Sequence, residues 1–136
     1  MTLQAKLDAF LAGKRFAVVG ASQDRTKYGN KVLRTYLQNK LTVFPVNPRA
    51  DQIEGLPSHP DLTSVPAPID GISVITPPGV TEQVVEEAVQ LGIRHLWIQP
   101  GAESQRAVAL AKSAGMVVIS GGPCILVVLE YREAET

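Results

Sequence analysis

Cysteine is almost missing from this sequence. Cys124 is the single one in 136 residues, so no internal disulfide can form, and the count suits a reducing compartment. Aromatic residues are scarce at 5%, too few for the stacking platforms that hold single-stranded nucleic acid. Charge of one sign is also lacking: 13 Lys and Arg face 13 Asp and Glu, with no Lys/Arg block. That balance excludes general binding to nucleic acid or an anionic membrane through a basic field. No apolar run approaches the roughly 20 residues of a membrane span, and Gln4, Lys6 and Asp8 break the N-terminal stretch before it can serve as a signal-peptide core. No His, Cys, Asp and Glu cluster has metal-ligand spacing. The expectation is a cytoplasmic protein whose ligands are held by local groups.

What is present is an alternation of apolar runs and amphipathic stretches, and at 45% hydrophobic the chain has material for one domain, residues 1–136, around one core. Phe16-Ala17-Val18-Val19, stopped by Gly20, reads as a strand buried on both faces and is expected at the centre of the sheet. Val32, Leu33, Tyr36 and Leu37 recur at helical spacing over residues 29–39. Residues 41–46 form a second strand with Pro45 at its end. Residues 47–68 hold Pro48, Gly55, Pro57, Pro60, Pro66 and Pro68 and read as a meandering connection with one short helical turn. A strand at 71–76 follows, then a helix carrying Val80, Val84, Ala88 and Leu91 and stopping at Gly92. Residues 95–98 and 116–119 are further strands, separated by the helical stripe Ala107, Leu110, Ala111 and Ala114. An N-terminal helix over residues 1–13 packs on the domain through Leu3, Leu7, Phe10 and Leu11, while the apolar tail, Cys124 to Tyr131, fits helix or strand equally. Strands alternating with helices imply right-handed crossovers, hence an α/β, Rossmann-like three-layer fold with a parallel sheet of about five strands.

In such sheets ligands lie outside the carboxyl ends of the strands. Gly20-Ala21-Ser22 is a small-residue turn that suits a phosphate or an ordinary strand-to-helix connection. The dinucleotide fingerprint G-x-G-x-x-G is absent, because the next glycine is Gly29. After the second strand comes Asn47-Pro48-Arg49, where an NAD site places an acidic residue. Arg49 reverses that charge and suits a phosphorylated ribose, as in NADP or coenzyme A, or else stands as a solvated loop arginine. Thr76-Pro77-Pro78 forms a rigid wall, and Gln99-Pro100-Gly101-Ala102 is a fourth small-residue turn. His59 reads as a surface loop histidine and His95 as structural, and no catalytic residue is assigned.

These motifs in this order, with Tyr28-Gly29-Asn30-Lys31-Val32 and Gly122-Pro123-Cys124, resemble the stand-alone bacterial and archaeal CoA-binding proteins. They are similar to the N-terminal CoA-binding domain of succinyl-CoA ligase alpha subunits. The resemblance implies coenzyme A or an acyl-CoA with its diphosphate near Gly20, Ala21 and Ser22 and its phosphorylated ribose near Asn47, Pro48 and Arg49. It implies Thr76, Pro77 and Pro78 beside the nucleotide, and Gln99, Pro100 and Gly101 along the pantetheine route toward Cys124. Lys31 is a further candidate for phosphate contact. The ligase's second domain, with its phosphorylated histidine, has no counterpart here, so a non-catalytic carrier, sensor or regulatory module is expected. An NADP-dependent enzyme and an interaction domain without ligand are the alternatives, and a homo-oligomer or protein partner is left open. Cys124 reads either as a thiol able to exchange with that of CoA or as a space-filling residue.

Overall fold

Apolar runs too short for helices pair side by side in a computed structural model that describes residues 1–135. Thr136, the last residue of the expected domain, lies outside the described residues. The strands are β1 (Arg15–Val19), β2 (Thr42–Val46), β3 (Gln52–Ile53), β4 (Leu56–Pro57), β5 (Gly71–Val74), β6 (His95–Ile98) and β7 (Val117–Ile119). Five of them make one parallel sheet in the order β2-β1-β5-β6-β7, and β3 pairs antiparallel with β4 in a separate hairpin. The centre is therefore β5, where β1 was expected. Both runs are buried throughout, so burial cannot rank them. What decides is that one strand lies outside β1 and two lie beyond β5.

The helices are α1 (Leu3–Leu11), α2 (Tyr28–Gln38), α3 (Pro78–Gln90), α4 (Gln105–Ser113) and α5 (Ile125–Val128). Side chains alternate across the sheet, which splits the core in two. Phe16, Val18 and Trp97 pack with Leu7 and Phe10 of α1, Val32, Leu33 and Tyr36 of α2, and Ile125. Ala17, Val19, Ile72, Val74, Leu96 and Ile98 pack with Val84, Val85 and Ala88 of α3 and with Ala107 and Ala111 of α4. Each large aliphatic side chain so buried is worth about 1.5–3 kcal/mol against exposure. Ser73, a polar residue in the central strand, is satisfied by Tyr36: their hydroxyls lie 2.6 Å apart and both residues are fully buried.

Pro45 sits inside β2, opposite Val18, although its position was expected at the strand's end. A strand residue points its N and C=O to the same side. The Pro45 carbonyl accepts from His59 N on the outer edge (3.0 Å), so the missing donor faces away from β1 and costs no ladder bond. His59 returns the contact by accepting from Asn47 N (2.8 Å). The expected meander over residues 47–68 thus contains the β3–β4 hairpin as well as a 3₁₀ turn, Leu62–Ser64. The apolar tail resolves into the four residues of α5 and a second 3₁₀ turn, Glu133–Glu135. Neither is long enough for periodicity to declare it.

Candidate functional site

The register brings Val19, Val46 and Val74 level across three neighbouring strands. Their continuations, Gly20, Asn47 and Ile75, consequently meet at one edge. The chain reverses its direction of travel across the sheet between β1 and β5, the switch point at which open α/β sheets bind ligands. A cleft of about 770 Å³ opens there, within the roughly 300–1,000 Å³ typical of cofactor sites. Gly20, Ala21, Ser22, Asn47, Pro48, Arg49, Thr76 and Pro77 all line it.

Two glycines make the floor. Gly20 has φ +97°, and a Cβ on it would lie 2.0 Å from the Ile75 carbonyl oxygen. A Cβ on Gly29 would lie 2.1 Å from the Gly20 carbonyl oxygen. The first turn of α2 therefore presses directly on the turn after β1, the close helix-to-strand approach that a fingerprint glycine provides elsewhere, reached here through a longer loop. Asn47 ties the cleft together: its Nδ2 donates to Ala21 O (2.8 Å) and its Oδ1 accepts from Arg49 N (2.8 Å). Thr76 Oγ1 and Thr81 Oγ1 lie 2.7 Å apart, which anchors the wall to the first turn of α3. Lys27 and Arg49 are exposed on the cleft; neither is in a close ion pair among the described residues, though the Lys27 charge acts on nearby Asp24.

The other predicted site residues lie elsewhere. Pro78 is the first residue of α3, and Pro100 and Gly101 are exposed on the turn after β6. Lys31 faces away from the cleft, with Nζ 4.0 Å from Glu133 Oε1. Gln99 is fully buried; its Oε1 accepts from Tyr28 OH (2.9 Å) and from Ile125 N (3.0 Å), while its Nε2 has no partner among the described residues. Cys124 is half-buried, with Sγ 2.7 Å from Tyr28 OH. Tyr28 has one proton and gives it to Gln99, so the Cys124 thiol donates to the Tyr28 oxygen. Burial first and the Cys124 contact second push the Tyr28 hydroxyl's pKa up, keeping it a neutral donor. Tyr28 also lines the cleft. Its hydroxyl joins the Gln99 and Cys124 side chains to the cleft.

A family model described as a CoA binding domain matches residues 14–130. The chain belongs to this CoA-binding family. The alpha subunit of an ADP-forming acetate–CoA ligase II from Pyrococcus furiosus is 29% identical over 132 residues, covering 88% of this chain and 28% of that subunit. The uncharacterized protein YneT of Bacillus subtilis is 28% identical over 106 residues, covering 78% of each. A solved structure of a conserved hypothetical protein from Pyrococcus furiosus superposes with TM-score 0.80 at 41% identity, over 85% of this chain and 98% of that one. Against the Pyrococcus and Archaeoglobus fulgidus ligases the chain spans 17% to 28% of their length. These ligase relatives are acetate–CoA ligases, where the sequence motifs resemble succinyl-CoA ligase.

Two features of this CoA-binding domain's cleft were not assigned from sequence. Lys27 stands at the N-cap of α2 without a side-chain capping bond, and sequence alone does not say which lysine of the loop faces the strand ends. Asn30 and Arg34, 0% and 2% exposed, sit behind the loop. Asn30 and Arg34 are one helical turn apart, a spacing that hints at a pair, but burial of both is a tertiary fact. No helix among the described residues is long and apolar enough to cross a membrane.

Proposed function

We propose that this CoA-binding domain holds coenzyme A or a short acyl-CoA along the carboxyl ends of β2, β1 and β5, as a non-catalytic carrier, sensor or regulatory module of the cytoplasm. The observation that carries the reading is one cleft at the switch point that combines a glycine-bearing turn with two exposed cations, neither in a close ion pair among the described residues. Gly20 and Gly29 let the turn after β1 pack tightly against Ile75 and the start of α2; the Gly20 N–H is bonded to Val46 O, so the Ala21 and Ser22 N–H groups are the ones that would face a diphosphate. The start of α2 adds its dipole, and Lys27 adds a mobile charge there. Arg49, on the β2 side, offers a planar fork to a phosphorylated ribose. Asn47 and Pro48 shape that lip, while Thr76, Pro77 and Pro78 form the wall beside the nucleotide.

The pantetheine arm would run past Tyr28 toward Gln99, Pro100, Gly101 and Cys124. Gln99 Nε2, a buried donor lacking an acceptor among the described residues, suits an amide or thioester carbonyl at that end. Cys124, held as a hydrogen-bonded thiol by Tyr28, would line the end of the arm. Lys31 would join the phosphate contacts only by leaving Glu133, so the lysine we assign to them first is Lys27. The unit of binding is the single domain, and its physiological partner would be a small molecule, with a second copy or another protein as a further layer.

Isothermal titration of the ligand-stripped protein with CoA, with NADP as control, tests this. Saturable CoA binding at micromolar or tighter affinity without comparable NADP binding is expected. Equal affinity for both would remove the CoA assignment, and no response to either would leave a fold without this ligand.

A further inference from the structure

Behind the cleft, and outside its lining, four polar side chains from three elements converge on the loop between β1 and α2. The β3–β4 hairpin turns through Glu54 (φ +50°) and Gly55 (φ +78°), the two-residue turn with left-handed backbone at both positions. That turn delivers the Glu54 carboxylate to the loop. Arg25 grips it from two nitrogens, Nε to Oε2 and Nη2 to Oε1, both at 3.2 Å. Asn30 Nδ2 donates to the same Oε2 (3.0 Å) and to the Ser22 carbonyl (2.8 Å). Below them Arg34 Nε donates to Asn30 Oδ1 (2.6 Å), and Arg34 Nη2 donates to the Arg25 carbonyl (2.9 Å). A separate tie runs from Gln23 Nε2 to the Gln52 carbonyl (2.7 Å).

Every one of these bonds ends on residues 22–25 or on a residue that holds them. Bidentate Arg–carboxylate pairs and hydrogen bonds to charged groups are the stronger kinds, and here the carboxylate is four-fifths shielded, with 20% side-chain exposure. Asn30 and Arg34 are buried, so water cannot replace a lost partner without the loop moving. We propose that Glu54 is a positioning residue for anion binding: through Arg25 and Asn30 it fixes the loop of residues 20–27 in the shape that presents its backbone donors to the cleft. The hairpin is thereby a functional element, and its cost of ordering is met before ligand arrives. The proposal rests on the reading that this loop takes the diphosphate of CoA.

The test compares wild type with Glu54→Ala in the full chain. Affinity for CoA and dephospho-CoA is measured by titration, and amide hydrogen exchange of residues 20–27 is followed without ligand. The expected result is about tenfold weaker binding, as for loss of one charge-assisted bond, by the same factor for both ligands, with about tenfold faster exchange confined to the loop. Unchanged affinity or unchanged exchange overturns the proposal. So does a loss seen with CoA but not with dephospho-CoA, because Glu54 would then act on the ribose phosphate. If wild type binds neither ligand, the CoA reading fails by itself and loop exchange alone decides the role of Glu54. Should Glu54→Ala not fold, Glu54→Gln keeps the volume and removes the charge, and the same pattern is expected with a smaller factor.

Discussion

Arg49 lies on an exposed lip of the cleft, next to Asn47, whose Oδ1 caps the Arg49 backbone N–H. That short turn sets where its side chain departs from β2. If the guanidinium holds a ribose phosphate, Arg49→Ala costs about 1.5–3 kcal/mol, or roughly 10- to 100-fold in CoA affinity. Dephospho-CoA, lacking that phosphate, is expected to bind wild type and variant nearly alike, and equal losses for both ligands in a parallel titration would place Arg49 elsewhere. Gly29 shows how far one residue can be read from sequence. It stands out as the next glycine after Gly20, yet its purpose, avoiding a Cβ that would lie 2.1 Å from the Gly20 carbonyl oxygen, depends on how α2 is seated. Lys27 and Lys31 make the same point with charge: four residues apart, at the N-cap and in the first turn of α2, they face the cleft and Glu133 respectively.

Between elements, Asp70 closes the junction of α1, β1 and β5. Its Oδ2 accepts from Lys14 N (2.7 Å) and Arg15 N (2.9 Å). These two backbone donors hold the carboxyl below the usual carboxylate range. The folded pKa lies below the unfolded value of about 3.9, so the unfolded chain binds more protons between the two, and stability rises with pH there. The contribution is complete above about pH 5 and fades as acid takes the group through its folded pKa. Urea unfolding of wild type and Asp70→Asn is expected to show the largest gap above pH 5, narrowing toward pH 3. A constant gap would assign Asp70 a pH-independent role. Elements long enough to repeat an apolar stripe, α2, α3 and α4, were legible at sequence level. The hairpin was not, since two residues per strand carry no alternation and its turn, Glu54-Gly55, lies among prolines that suggest a meander.

For the molecule as a whole, the proposed ligand would bind only the folded state, because the cleft is assembled from three strand ends far apart in sequence. CoA at 100 times its Kd then adds about 2.7 kcal/mol to stability, which for a domain of this size raises Tm by roughly 9 °C. A melting curve with and without CoA checks it, and a Tm indifferent to saturating CoA would contradict binding to the native cleft. The fold class was readable because every buried strand and every striped helix announces itself locally, and alternation of the two leaves few topologies. The order of the strands was not, and β5 rather than β1 lies in the middle.

The sequence by itself determined which turns could carry anion chemistry. Gly20-Ala21-Ser22, Asn47-Pro48-Arg49 and Thr76-Pro77 are small, rigid or cationic whatever surrounds them. Only the tertiary structure decided that these three share one cleft while Gln99 and Cys124 reach it through Tyr28, and that Glu54 backs the loop from a distant hairpin. The physical reason is range: conformational preference and residue chemistry act over a few residues. Which side chains are buried together, and which carbonyl a missing Cβ makes room for, depend on the register of strands that meet only when the whole sheet has formed.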